Sequence, residues 1–186
     1  MKNLQLTDHF ASLYPLGDPF RKALSGALTQ KQYKKGDILR QNGQTPMIWY
    51  IQKGLAKGYY QDQEGKEHVT RFWKENQVML LAGGQKIPAA ADRIMLLEDS
   101  QLTTLSDSSI LFLYHSFAEA PKLSSKIILN DRNQGELRSF LCSMPTPQGY
   151  AAFQQIFPSA RLLLKDIASY LEISAGRMST IRKNIE

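Results

Sequence analysis

The chain has 186 residues, 42% of them hydrophobic and 22% charged, with 23 Lys and Arg against 17 Asp and Glu for a net charge of +6. That balance supports a packed core and excludes wholesale disorder, and the single Cys142 excludes a disulfide framework or a Cys-based zinc site. The basic excess permits nucleic acid as a partner without establishing it, because residues 1–117 and residues 118–186 each carry +3.

The first eight residues lack the apolar core of a signal peptide, and no apolar run approaches the roughly 18 residues that a membrane span needs. The chain reads as soluble and cytoplasmic, with no membrane partner. Leu4, Leu6, Phe10, Leu13 and Tyr14, then Phe20, Leu24 and Leu28, recur at helical spacings and predict two short helices broken at Leu16-Gly17-Asp18.

From Gln32 the texture changes. Lys34-Lys35-Gly36-Asp37 and Gln41-Asn42-Gly43-Gln44 read as turns, residues 47–51, 55–60 and 68–73 as strands, and residues 62–66 as a hairpin loop. Residues 102–105 and 110–114 add two more expected strands. Short strands separated by frequent turns predict a two-sheet or closed antiparallel β domain.

After Phe117 the strand signals stop. Leu123, Ile127, Asn130, Gln134, Leu137, Leu141 and Met144 step by 4 and 3, the spacing of a coiled-coil seam. The seam predicts a long dimerisation helix over 118–144, with the polar Asn130 and Gln134 fixing its register. A long helix lying on its own β domain would carry the same stripe. Gly135 weakens the helix by roughly 1 kcal/mol. Pro145 and Pro147 break it, and a further apolar helix carrying Tyr150, Phe153, Ile156 and Phe157 stops at Pro158.

The tail, residues 164–183, has the pattern of two helices crossing at a steep angle. Ala168 is small where they touch, Ile173 plugs the turn, and Met178 and Ile181 face inward. Ser174 is placed to cap the second helix. Its other face shows Arg177, Ser179, Thr180, Arg182 and Lys183, with no acid before Glu186, which suits a DNA major groove. Lys165, Ser174, Arg177, Ser179, Thr180, Arg182 and Lys183 are the candidate DNA contacts, with Arg182 and Lys183 on phosphates.

The order of helical lead, β-roll with glycines at 36, 43, 54 and 65, long helix and C-terminal helix-turn-helix is similar to that of the Crp/Fnr family of bacterial transcription regulators. Residues 33–39 (Tyr-Lys-Lys-Gly-Asp-Ile-Leu), residues 48–54 (Ile-Trp-Tyr-Ile-Gln-Lys-Gly) and residues 164–183 carry the resemblance, which runs through nearly the whole chain. It implies an α+β fold. A jelly-roll-like antiparallel β-roll with N-terminal helices forms a cyclic-nucleotide-binding-like sensor over 1–117, the long helix follows over 118–144, and a helix-turn-helix domain fills 145–186. The implied partners are double-stranded DNA, a second copy of the chain, a small-molecule effector and RNA polymerase.

Two departures from the family pattern matter. Cyclic-nucleotide binders in the family carry Gly-Glu for the ribose and Arg-Ser or Arg-Thr for the phosphate. The equivalent stretch here offers Gly83, Gly84 and Gln85, then Ala90 and Ala91, as its effector-pocket residues. A phosphate facing alanines loses its water without gaining a charged partner, so no tight cAMP binding is expected. The second departure is in the recognition helix, where Gly176 and Thr180 replace the family's usual Glu and Arg, while Glu172 replaces a turn glycine and implies either strain or a slightly different turn. Cys142 alone excludes an iron–sulfur sensor. His9, His68 and His115 are scattered, with no phosphate loop or nucleophile elbow, so no enzyme, metal site or cofactor is expected. The competing reading is a ligand-binding or protein-interaction module of the same fold that has lost sequence-specific DNA binding.

Overall fold

Side-chain alternation along β3 (Ile48–Lys53) sets the layering: Trp49 and Ile51 point to one face and Tyr50 to the other. The computed structural model describes residues 4–39, 48–80 and 93–185. Two helices, α1 (Leu4–Leu13) and α2 (Asp18–Ala27), lead into β1 (Leu28–Tyr33) and β2 (Ile38–Leu39). After β3 come β4 (Ala56–Gln61), β5 (Glu67–Trp73), β6 (Val78–Met79), β7 (Arg93–Leu96) and β8 (Ser100–Leu105). The strands form two antiparallel four-stranded sheets, in the orders β1-β8-β3-β6 and β2-β7-β4-β5. The chain is thus an α+β protein with an antiparallel β-roll.

The remaining elements are helical: α3 (Asp107–Ser116), α4 (Glu119–Ser143), α5 (Thr146–Ile156), a 3-10 turn (Ser159–Arg161), α6 (Leu164–Tyr170) and α7 (Ala175–Ile185). Residues 110–114, expected as a strand, lie in α3. A continuous apolar run of that length fits either element. The deciding signal is upstream, where Ser106 caps the helix by accepting from the Ser109 amide and Asp107 sits in the first turn. Leu28, expected at the end of the second helix, starts β1 and pairs with Leu105 of β8.

Three apolar layers result. Between the sheets lie Trp49, Ile51, Ala56, Trp73, Met79, Ile94 and Leu102. The outer face of the first sheet, through Leu28, Tyr50 and Leu105, packs on α1, α2, α3 and the start of α4. Against the outer face of the second sheet, through Leu55, Tyr59, Val69 and Phe72, pack Leu141, α5, α6 and α7. The C-terminal helices therefore share one core with β4 and β5.

The stripe of α4 expected as a dimer seam meets its own chain along much of its length. Leu123, Ile127 and Leu141 are buried within their own chain, and Leu137 packs against the third layer. Asn130 and Gln134 are exposed and border a small cavity with His9, Trp73 and Gln77. The apolar members of the 4–3 spacing mark the buried stripe, and what covers them within the chain is α1, α3, α5 and β5. Gly135 has a reason too. A Cβ there would meet the Arg71 guanidinium at 2.7 Å, and that guanidinium, reaching from β5, pairs with the Asp131 carboxylate and donates to its carbonyl at 2.8 Å. At Gly149 a Cβ would meet the Leu141 carbonyl oxygen at 2.7 Å, so glycine is what lets α5 close against α4.

Polar bonds fix how the C-terminal helices dock. Lys57 of β4 is 3% exposed, and its Nζ donates to Glu67 at 2.6 Å and to Asp166 of α6 at 3.0 Å. The Val69 amide donates to Ser169 Oγ at 2.9 Å, and Lys74 Nζ donates to the Ile156 carbonyl at the end of α5 at 2.6 Å. Arg161 pairs with Glu75 at 2.7 Å and with Glu98. Burial opposes the Lys57 charge, but its two carboxylates outweigh burial and raise its pKa above the ordinary lysine value. The ammonium is therefore retained from acid through neutral pH, and its contribution to stability is lost only in strong alkali.

Removing one partner of a buried pair leaves the other uncompensated. Lys57→Met should thus lower the unfolding free energy by about 3–5 kcal/mol. In chemical denaturation, Lys57→Met combined with Asp166→Leu should recover much of that loss; strictly additive losses would contradict the coupling.

Candidate nucleic-acid interface

The site is built on the α6–α7 pair. Ile167, Ala168, Leu171, Met178 and Ile181 are all buried, and Ile173 packs against their cluster at the turn. Met178, at 0% exposure, anchors the second helix from within its first turns. With those residues turned inward, helical geometry turns Arg177, Thr180 and Lys183 outward, and all three are exposed.

Of the two expectations for Glu172, strain or a different turn, the backbone shows the strained conformation. Glu172 has φ of +57°, the left-handed region that costs an L-residue roughly 1–2 kcal/mol. Backbone bonds hold it: the Glu172 amide donates to the Ser169 carbonyl at 3.3 Å and the Ile173 amide to the Ala168 carbonyl at 3.0 Å. Arg138 of α4 holds it from the side, donating from Nη2 to Glu172 at 2.8 Å and from Nε to the Tyr170 carbonyl at 2.9 Å. Arg138 and this glutamate escape sequence reasoning as a pair, being 34 residues apart with no local pattern to link them.

Ser174 caps α7, its Oγ accepting from the Arg177 amide at 3.2 Å. Placing the cap there leaves the amides of Ala175 and Gly176 at the helix start without intrahelical partners, the arrangement that attracts a phosphate. Lys165 is exposed in the first turn of α6, and Ser174 at the start of α7 is exposed as well. Ser179 is half-buried. Thr180 Oγ1 donates to the Gly176 carbonyl at 3.2 Å, so its oxygen is left to accept rather than its proton to donate. Arg182 is half-buried and engaged within the chain. Of the seven candidate contacts, Lys165, Ser174, Arg177, Thr180 and Lys183 are exposed together on this unit, and Ser179 and Arg182 are partly withdrawn.

Between α6–α7 and the β4–β5 hairpin runs an open cleft of about 910 Å³. Tyr60, Lys66, His68 and Thr70 line it on one side, and Lys165, Ser169 and Ser174 on the other. His68 stacks on Tyr60, with ring centroids 4.9 Å apart, and its Nε2 lies 2.7 Å from Asp62, so it serves the hairpin. Among the described residues no group of three or more His, Cys, Asp and Glu could hold a metal ion, and no helix is long and apolar enough to cross a membrane. Burial raises the Cys142 thiol pKa, which keeps it protonated at neutral pH. The expected effector residues Gly83, Gly84, Gln85, Ala90 and Ala91 lie outside the described residues.

Glycine adopts the φ of residue 172 without penalty, so Glu172→Gly should unfold no more easily than wild type, up to about 1 kcal/mol the other way, despite losing the Arg138 bond. Glu172→Val, β-branched at positive φ, should melt clearly lower. A melting temperature for Glu172→Gly well below that of wild type would show that the Arg138 bond, not the backbone strain, governs the turn.

No protein-family model matches the sequence, and no curated protein does. Solved structures do match. A transcriptional regulator assigned to the Crp/Fnr family from Eubacterium rectale superposes with a TM-score of 0.71 at 15% identity, over 95% of this chain and 87% of that one. FixK2 of Bradyrhizobium japonicum gives 0.70 at 15% identity, over 85% and 84%. The c-di-GMP-responsive global regulator CLP of Xanthomonas campestris gives 0.65 at 12% identity, over 91% of each chain. A β-roll, a long helix and a C-terminal helix-turn-helix in this order give the chain the fold of the Crp/Fnr transcription regulators.

Proposed function

We propose that the protein is a DNA-binding transcription regulator of Crp/Fnr type, acting as a cytoplasmic homodimer. One observation carries the reading: a capped recognition helix, α7, buries Met178 and Ile181 while exposing Arg177 and Lys183. Arg177, in the first turn, reaches a base edge or phosphate, and Lys183 in the last turns neutralises a phosphate. In sequence position Ala90 and Ala91 replace the Arg-Ser or Arg-Thr pair of the family's cyclic-nucleotide binders, so tight cAMP binding is not expected.

Dimerisation falls to a different stripe of α4 from the expected one. Leu129, Asn133, Glu136 and Phe140 repeat the 4–3 spacing on an exposed face, with Leu129 at 50% and Phe140 at 58% exposure. A second copy packed along this stripe would bring two recognition helices to two half-sites, as symmetric operators require. The second reading, a module without DNA binding, draws on Gly176, which offers no side chain to a base, and on Thr180, whose hydroxyl proton is spent on its own helix.

Fluorescence anisotropy against salt separates the two. The regulator should show a steep log–log slope that falls by about 0.9 in Lys183→Gln, with no change on adding micromolar cAMP. A flat slope for wild type would favour the module. By sedimentation, wild type should have the mass of a dimer and Leu129→Asp/Phe140→Asp that of a monomer. Because both side chains are exposed, the fold should survive, and a double variant still dimeric would contradict the stripe.

A further inference from the structure

The β4–β5 hairpin stands beside the DNA-facing end of the helix-turn-helix, across the 910 Å³ cleft. Most charges on the cleft wall are matched within the chain. Arg138 holds Glu172, Lys57 holds Glu67 and Asp166, and His68 faces Asp62. The charged side chains left on that wall are Lys66, from the hairpin turn, and Lys165, from the start of α6, both exposed. The other acid of the turn, Glu64, is not among the residues lining the cleft. Ser174 and Ala175, at the N-terminus of α7, complete the same wall. Two unmatched ammonium groups thus flank a helix N-terminus whose free amides already favour an anion.

We propose that the β4–β5 hairpin is part of the DNA-binding surface, with Lys66 contacting a backbone phosphate of the strand that crosses Lys165 and the start of α7. This rests on the DNA-binding reading above. Phosphates along one strand succeed one another about every 3.4 Å of helix axis, so a strand seated on α7's N-terminus presents its neighbouring phosphates to the opposite wall. A duplex rather than a small anion is the fitting occupant, because the cleft is open and its far wall belongs to the helix that would enter the major groove. The hairpin is itself pinned. Asp62 accepts from the Glu64 and Lys66 amides at 3.0 and 2.9 Å, and Lys57 ties Glu67 to α6. The backbone of Lys66 is therefore held at a fixed place relative to α7, so a contact to phosphate needs only its side chain to be ordered.

The test is anisotropy of the full chain on a labelled duplex over a salt series, with Lys66→Gln, Lys66→Glu, Lys183→Gln and, as a control for bulk charge, Lys22→Gln. Lys22 is exposed on α2, which packs on the other sheet. Lys66→Gln should weaken binding to all sequences alike and lower the slope by about 0.9, as Lys183→Gln does, with Lys66→Glu weaker still and Lys22→Gln unchanged. If Lys183→Gln lowers the slope and Lys66→Gln does not, or if Lys22→Gln lowers it as much as Lys66→Gln, the hairpin contact is overturned while the DNA-binding reading stands. If wild type fails to bind duplex at low salt, both fall together.

Discussion

The arrangement of the protein turns on how the second sheet holds the C-terminal helices. Phe72 of β5 meets Phe153, Phe157 and Tyr170 with ring centroids 5.2–5.8 Å apart, and this cluster supplies the apolar burial. Apolar contact alone is tolerant of sliding. The Lys57 ammonium, buried between Glu67 and Asp166, removes that tolerance, because any slipped docking would leave a charge buried without its partner. A buried ion pair of this kind adds little net stability over a well-packed hydrophobic substitute. Its use here is to choose one orientation of α6, and hence of α7, relative to the β-roll.

From that orientation the rest follows. With α6 fixed, the strained turn at Glu172 can be held from α4 by Arg138, which also takes the Tyr170 carbonyl. The turn places Ser174 to cap α7, and the cap leaves the helix's first amides facing outward. The same docking sets the β4–β5 hairpin beside those amides. The β-roll and the C-terminal helices are therefore joined through one core, and α4 runs along both, touching the first-sheet layer through Leu123 and Ile127 and the second through Leu141.

Much of this was legible in the residues. The helix-turn-helix read correctly because its constraints are local: a small residue at Ala168, a plug at Ile173 and inward residues at Met178 and Ile181 fall within fourteen positions. The β-roll read correctly because its turns are punctuated by glycines with positive φ at 36, 54 and 65. The 110–114 run was misread because a continuous apolar stretch has no period, and only the Ser106 cap decides it. The stripe of α4 was legible from its spacing, but sequence gives the apolar stripe of a helix and not what covers it; within the chain, Leu123 and Ile127 meet the first-sheet layer and Leu141 the second. Lys57 and Asp166, 109 residues apart, could not be paired at all. Neither could Arg71 be matched to the space left by Gly135, since nothing local marks that contact.

The most direct test of the account is selection of bound duplexes from a random pool by the full chain. A dimer with two outward recognition helices held in one orientation predicts an enriched inverted repeat whose half-site centres lie about one helical turn apart, roughly 10 bp or a small multiple of it. Recovery of unenriched sequence, or of a single half-site without its symmetric mate, would contradict it.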